Sequence, residues 1–232
     1  MQAVILAGGF GTRLRSRIAD VPKPMAPVAG RPFLEYLLDR LDRAGCERVV
    51  LATGHLSDVI ERHFGARYRG VQIEISRELT PLGTGGAIVQ ALRRLPAGPA
   101  LVLNGDTWLD LDWADFTAWC RARAGCDAIV LRSLPDVSRF GSVKLEGERV
   151  RAFGEKAGAG PGLINAGVYW LSLASLLRFD LPEVFSIEAE YFQPHIAEID
   201  LRGYVMDGAF IDIGVPEDYD RAQTELPRWI AG

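Results

Sequence analysis

The chain has 232 residues and a formal net charge of −4 from 26 basic and 30 acidic side chains, with 48% hydrophobic and 24% charged residues. That size and balance describe a soluble α/β protein able to bury a core without disulfides or a structural metal. The acidic excess argues against a nucleic-acid partner, whose phosphates call for a basic face, and no apolar run is long enough to span a bilayer.

Cys46, Cys120 and Cys126 include no C-x-x-C pair. Three such cysteines read as reduced, buried thiols of a cytoplasmic protein. Residues 1–10 are apolar without a basic leader or cleavage site, and are expected to be a first strand, not a signal peptide.

Residues 2–7 form a short, nearly continuous apolar run, the pattern of a strand buried on both faces. Pro32 opens a helical pattern with Phe33, Leu37, Leu38 and Leu41 on one face, and Gly45 stops it. A second strand over 48–53 and a helix over 56–64 follow. Then come a third strand over 71–76, a glycine-rich turn and a helix over 87–95. The fourth strand, 100–103, ends abruptly at Asn104-Gly105-Asp106. Strands alternating with helices predict right-handed crossovers and a mainly parallel sheet covered by helices. After 127–132 the rhythm changes. Pieces at 142–146, 149–153 and 163–171 read as an antiparallel extension of the α/β core. A helical stretch near 187–199, a strand near 201–205 and a helix from 216 to 229 complete the pattern. With no repeat or linker, residues 1–232 are expected to form a single domain.

The most informative segment is Leu6-Ala7-Gly8-Gly9-Phe10-Gly11-Thr12-Arg13-Leu14. Glycines directly after a buried strand bring backbone N–H groups close to a ligand. Arg13, and Lys23 between Pro22 and Pro24, add two positive charges, making a cradle for a triphosphate. The bland alternative is a tight strand–helix turn with a solvated Arg. The dinucleotide fingerprint is excluded because Leu14 stands where its third glycine belongs, and no G-K-[ST] occurs.

With T-R-L after these glycines and K-P ten residues beyond Arg13, the chain resembles the sugar-nucleotide pyrophosphorylases over essentially its whole length. Lys23-Pro24-Met25-Ala26-Pro27-Val28 and Arg31-Pro32-Phe33-Leu34-Glu35-Tyr36-Leu37-Leu38 look especially like the guanylyltransferases that act on D-glycero-α-D-manno-heptose 1-phosphate. Mannose 1-phosphate guanylyltransferases, and enzymes of the same chemistry using UTP or dTTP, are the alternatives. The resemblance implies a Rossmann-like three-layer αβα nucleotidyltransferase fold, with residues 1–232 as the catalytic domain. It also implies transfer of a nucleoside monophosphate to a sugar 1-phosphate for bacterial surface polysaccharide, with Mg²⁺ as cofactor and GTP the favoured donor.

Glu78-Leu79-Thr80-Pro81-Leu82-Gly83-Thr84-Gly85-Gly86-Ala87 lies between a strand and a helix, and its glycines allow a planar base close to the backbone. In similar enzymes this segment lines the base pocket, which places Glu78, Pro81, Gly83, Thr84 and Gly85 there. A carboxylate at Glu78 accepts from the adjacent N1–H and N2–H₂ of guanine; uracil N3–H would also be served. A surface Glu beside a helix N-terminus is the alternative.

Asp106 follows the fourth strand at its carboxyl end, where open parallel sheets place ligands. Asp212 stands in Phe210-Ile211-Asp212-Ile213-Gly214, where a carboxylate among apolar neighbours calls for a compensating cation. Each alone reads equally as a turn former or cap. The resemblance makes both the metal ligands and adds Asn104 and Gly105 to the nucleotide contacts. Asp110 and Asp112 are expected to be turn and cap residues, and Asp218 a helix-surface carboxylate.

On the sugar side the resemblance gives Lys156 to the sugar phosphate, and Glu155 and Asn165 to sugar hydroxyls. Gly141 and Gly167 would let the backbone approach. Catalytic roles fall to Arg13, Lys23, Asp106, Lys156 and Asp212. His55, His63 and His195 lack metal-ligand spacing and receive no role. A non-catalytic nucleotide-sugar sensor on the same fold would be expected to lose some of these residues. Nothing in the sequence excludes a homo-oligomer.

Overall fold

The computed structural model describes residues 1–9, 14, 17–18, 21–154 and 160–231. In chain order these form β1 (Gln2–Leu6), a 3₁₀ turn (Lys23–Met25), β2 (Pro27–Val28), β3 (Arg31–Pro32), α1 (Phe33–Arg43), β4 (Arg48–Thr53) and α2 (Ser57–Phe64). Next come β5 (Arg67–Tyr68), β6 (Val71–Arg77), α3 (Gly83–Leu92), β7 (Pro99–Asn104), β8 (Thr107–Leu109) and α4 (Trp113–Arg121). The remainder is β9 (Asp127–Leu134), β10 (Ser142–Glu146), β11 (Arg149–Gly154), β12 (Gly162–Ser172), α5 (Leu173–Leu176), a π-turn (Ile187–Phe192), the single turn α6 (Gln193–His195), β13 (Leu201–Met206), β14 (Phe210–Asp212) and α7 (Pro216–Ala231).

Alternation along the strands divides the interior into two cores. Ala3, Ile5, Val49, Leu51, Leu101 and Leu103 pack with Leu34, Leu38 and Leu41 of α1, Phe116 of α4 and Leu226 of α7. Val4, Val50, Ala52 and Val102 point the other way, onto Ile88 and Ala91 of α3 and onto Tyr191 and Phe192. One sheet with a helical layer on each face is the expected three-layer αβα arrangement.

That sheet has ten strands in the order β10-β11-β13-β9-β12-β7-β1-β4-β6-β5. β7, β1, β4 and β6 are mutually parallel, as the helix-separated rhythm predicts. The other half is mixed: β12 runs antiparallel to β7 and β9, while β13 is parallel to β9. Two short strands that hydrophobic pattern did not announce, β8 and β14, pair with each other away from the main sheet. Among the described residues, no helix is long and apolar enough to cross a membrane. The three cysteines are buried and free, and burial pushes the Cys46 thiol up to about 11.

Two expectations change. The glycine-rich stretch predicted as a turn before residue 87 is the first turn of α3, which starts at Gly83. Its glycines admit the chain's own loop: the Gly85 N–H donates to the Phe185 carbonyl at 2.9 Å, and a Cβ on Gly85 would lie 2.1 Å from the Phe185 ring. A Cβ on Gly83 or Gly86 would similarly meet the carbonyl oxygen of Phe185 or Glu183, at 2.4 and 2.3 Å. Asp218, expected on the helix surface, is buried between Arg139 and Arg221, at 2.7 and 2.9 Å. Asp112 does cap α4, accepting from the Asp115 N–H at 2.9 Å.

Gly85→Ala sets a steric clash against a better helix propensity. The helical gain is at most about 1 kcal/mol, whereas overpacking a filled site costs about 1–3 kcal/mol. The variant should therefore lose stability in urea unfolding; an equal or higher midpoint would show that the Phe185 ring is not seated there.

Candidate active site

The crossovers diverge between β1 and β7: β4 lies on one side of β1, and β7, reached later in the chain, on the other. Open α/β sheets form their ligand crevice at the carboxyl ends of such a pair. Here the Gly105 N–H donates to the Leu6 carbonyl at 2.9 Å. A Cβ on Gly105 would stand 2.4 Å from that oxygen, so the two strand ends touch because this residue has none. Ala7 is tied to β4 through its N–H to the Ala52 carbonyl at 2.7 Å, and Gly8 follows at the crevice. A Cβ on Gly8 would meet Glu78 Oε1 at 2.6 Å, placing that carboxylate directly beside the loop. Glu78 Oε2 accepts from the Leu82 N–H at 2.9 Å. Burial pushes the Glu78 carboxyl up from its ordinary value, and the bond from Leu82 partly offsets this.

The second cluster is built on the β8–β14 ribbon, in which Asp212 sits opposite Thr107. The Ile213 N–H donates to the Asp106 carbonyl at 2.9 Å, bringing the two aspartates to one end of the ribbon. The 3₁₀ turn that begins at Lys23 delivers an ammonium between them. Its Nζ bonds Asp106 Oδ2 and lies 3.7 Å from Asp212 Oδ1. Asp212 Oδ1 also accepts from the Gly214 N–H at 2.7 Å. A Cβ on Gly214 would crowd that oxygen at 2.8 Å and the Lys23 ammonium at 3.0 Å. Burial, then the negative charge of Asp106, push the Asp212 carboxyl upward, and Lys23 pulls it back.

Two converging carboxylates that repel one another and require a positive charge are a hard, all-oxygen donor set. That suits Mg²⁺, which is bound through one or two carboxylates, with phosphate and water completing the octahedron. Among the described residues there is no group of three or more His, Cys, Asp or Glu able to share an ion, which is the donor set of a closed protein cage.

Beside Asp212 opens a cavity of about 600 Å³, lined among others by Thr84, Asn104, Gly141, Asn165 and Glu188. Asn165 organises its wall. Nδ2 donates to the Tyr169 hydroxyl at 2.8 Å and to Glu188 Oε2 at 3.4 Å, while Oδ1 accepts from the Gly167 N–H at 2.9 Å. Gly167, expected to clear room for a sugar, has φ +73°, and its missing Cβ makes room for the Asn104 side chain, 2.5 Å from where that Cβ would be. Thr84 is engaged too, its Oγ1 accepting from the Ile187 N–H at 3.0 Å. A larger depression of about 810 Å³ lies at the opposite ends of the parallel strands, near Met1, Arg48 and Pro99. It is remote from Asp106 and Asp212, so its size does not make it the reaction site.

Lys23, expected beside the glycine loop, thus forms one cluster with Asp106 and Asp212. Leu6, Ala7, Gly8, Glu78 and Gly105 gather at the adjoining strand ends. Asn104, Thr84, Gly141 and Asn165 line the neighbouring cavity, whereas Gly9 and Pro81 are exposed and Gly83 and Gly85 seat the 183–187 loop. Gly11, Thr12, Arg13, Glu155 and Lys156 lie outside the described residues. Sequence reasoning passed over Glu188, Arg139 and Asp218 as cavity residues. Glu188 carried a signal, a carboxylate between Ile187 and Ala189, of the kind that singled out Asp212. Asp218 carried none, because a charged residue in the first turn of a helix ordinarily faces water.

Residues 2–228 match the family model described as nucleotidyl transferase. The chain is 39% identical over 231 residues to a D-glycero-alpha-D-manno-heptose 1-phosphate guanylyltransferase of Aneurinibacillus thermoaerophilus, covering 99% of this chain and 100% of that protein. It is 41% identical over 220 residues to the protein of the same description from Campylobacter jejuni, covering 94% and 97%. The crystal structure of HddC from Yersinia pseudotuberculosis superposes with a TM-score of 0.87 at 34% identity, covering 97% of this chain and 99% of that one. A second structure of HddC, complexed with GMP-PN, gives 0.84 at 33% identity over the same shares.

Removing the cation between two facing carboxylates leaves their repulsion uncompensated. Lys23→Ala should lose about 1–2 kcal/mol of unfolding free energy in EDTA, a figure reduced for the partial exposure of both carboxylates. Millimolar Mg²⁺ should restore part of it, by binding the native state alone. Melting curves of variant and wild type that coincide in EDTA would sink this reading of the cluster.

Proposed function

This chain belongs to the nucleotidyl transferase family, and from that footing we propose that it transfers GMP from GTP to D-glycero-α-D-manno-heptose 1-phosphate, releasing pyrophosphate and forming the GDP-heptose. The observation that carries the reading is the Lys23 ammonium between Asp106 and Asp212, at the crevice where β1 and β7 end. It supports a triphosphate site with a carboxylate pair at the reacting phosphorus. The adjoining cavity supports a polyhydroxylated acceptor on the Asp212 side. The continuous ten-stranded sheet supports residues 1–232 as one catalytic domain, which we place in the cytoplasm, where GTP is found.

A phosphate oxygen of the sugar 1-phosphate attacks the α-phosphorus of GTP in line with the bond to the β-phosphate. A P–O bond forms as the Pα–O bond breaks, and its electron pair departs on pyrophosphate. The nucleophile is already an anion, so no general base is required, and catalysis consists of alignment and charge compensation. The loop Gly8-Gly9-Phe10-Gly11-Thr12, which follows Leu6 and Ala7 at the end of β1, offers N–H groups to the triphosphate, and Arg13 and Lys23 hold the departing pyrophosphate. Lys156 steadies the attacking phosphate, with Glu155 and Asn165 at the sugar. Glu78, beside Gly8, accepts the donor edge of guanine, and Asp106 and Asp212 are the residues that would hold Mg²⁺. When bound, the ion supplies charge neutralisation and orientation at the α-phosphate.

Pyrophosphate release, measured with GTP, ATP, UTP and dTTP against heptose, mannose and glucose 1-phosphates, tests the reaction. GTP with the heptose should give the highest kcat/KM, and a preference for UTP or dTTP would refute the guanine assignment. Asp106→Ala should reduce kcat by about a thousandfold in a protein that keeps its circular dichroism spectrum; near-normal turnover would remove Asp106 from the centre. Glu78→Gln should lower the GTP-over-UTP preference by about tenfold or more, and an unchanged ratio would end its role in reading the base.

A further inference from the structure

The cavity wall holds a carboxylate that the reaction as described leaves unused. Glu188 is half-buried there, and among the described residues its side chain accepts one hydrogen bond, the long one from Asn165 at 3.4 Å. A carboxylate has about four acceptor sites, so among the described residues most of its capacity stands open. Asn165 is in the opposite condition. Both its amide hydrogens are engaged, by Tyr169 and Glu188, and its oxygen already accepts from Gly167. A partly desolvated carboxylate is costly until donors reach it. Burial accordingly pushes the Glu188 carboxyl upward, opposed by the Asn165 bond.

The carboxylate is also held in place. Glu188 is the second residue of the π-turn, a wide turn of the kind that recurs at functional sites. Ahead of it, Ile187 is pinned by its N–H to Thr84 Oγ1 at 3.0 Å, and the Phe185 carbonyl by Gly85. Behind it, the Tyr191 hydroxyl donates to Asp127 Oδ2 at 2.7 Å, and the Ser175 hydroxyl to the same oxygen at 2.6 Å. Tyr191 and Asp127 are buried, so the turn is clamped at both ends.

We propose that Glu188 is a specificity-determining residue for the acceptor, taking hydrogen bonds from one or two ring hydroxyls of the pyranose while Asn165 positions it. The inference rests on the sugar 1-phosphate reading given above and adds a named acceptor to it.

Glu188→Gln tests it, compared with wild type on D-glycero-α-D-manno-heptose 1-phosphate and its 2-, 3- and 4-monodeoxy analogues. Losing a hydrogen bond to a charged group should lower the variant's kcat/KM for the parent sugar by about 10- to 100-fold, through KM, while the KM for GTP stays within about threefold. The unchanged GTP value also reports that the variant is folded. Wild type should reject at least one deoxy analogue by about tenfold or more, and the variant should treat that analogue and the parent alike within about threefold. Discrimination by Glu188→Gln as strong as that of wild type, or an unchanged kcat/KM for the parent, would overturn the assignment. Wild type releasing no pyrophosphate with any sugar 1-phosphate would instead overturn the reaction, and this inference with it.

Discussion

Two carboxylates from distant parts of the chain face one lysine ammonium, and the geometry around the crevice can be understood as what holds those three groups together. Asp106 and Asp212 would repel one another in a partly desolvated site, and the positive charge of Lys23 offsets that repulsion. The β8–β14 ribbon sets the separation of the carboxylates. Gly214 leaves space where a Cβ would crowd both Asp212 and Lys23, and Gly105 lets the end of β7 touch the end of β1. The cation proposed to meet a nucleotide phosphate is therefore the same cation that balances the two carboxylates proposed to hold the metal, so binding at one would be electrostatically coupled to charge at the other.

A second constraint joins the two halves of the site. The first turn of α3 follows directly on the segment bearing Glu78, and its glycines seat the 183–187 loop that leads into the π-turn. Thr84 bonds Ile187 across this seam, one residue from Glu188. The segment proposed to face the base and the turn bearing Glu188 are thus packed against each other over the carboxyl ends of the strands. On the far rim, Asp218 joins Arg139 of the 135–141 loop to Arg221 of α7, closing the cavity on the side where the chain has just passed Asp212.

Much of this was legible beforehand, for identifiable reasons. The parallel half of the sheet could be read because strands buried on both faces are continuous apolar runs. Asp106 and Asp212 stood out because a carboxylate after a buried strand, or among apolar neighbours, is conspicuous. The ribbon strands β8 and β14 were illegible, since three residues are too few for a period to register. The glycines at 83–86 were legible only in part. A missing Cβ announces a close approach without saying what approaches, and within the chain it is Phe185 that approaches Gly83 and Gly85. Gly167 repeats the lesson with Asn104.

By itself, the sequence determined the alternating architecture, the family and the residue types proposed to carry the chemistry, because local pattern and short motifs are properties of neighbouring residues. Tertiary structure alone decided that Lys23 stands between the two aspartates, that Asp218 is buried between two arginines, and that Glu188 lines the cavity with, among the described residues, one hydrogen bond from Asn165. Each of these depends on distances between segments far apart in the chain. Such distances are set by strand order, loop docking and the absence of single Cβ atoms, none of which leaves a periodic mark on the residues themselves.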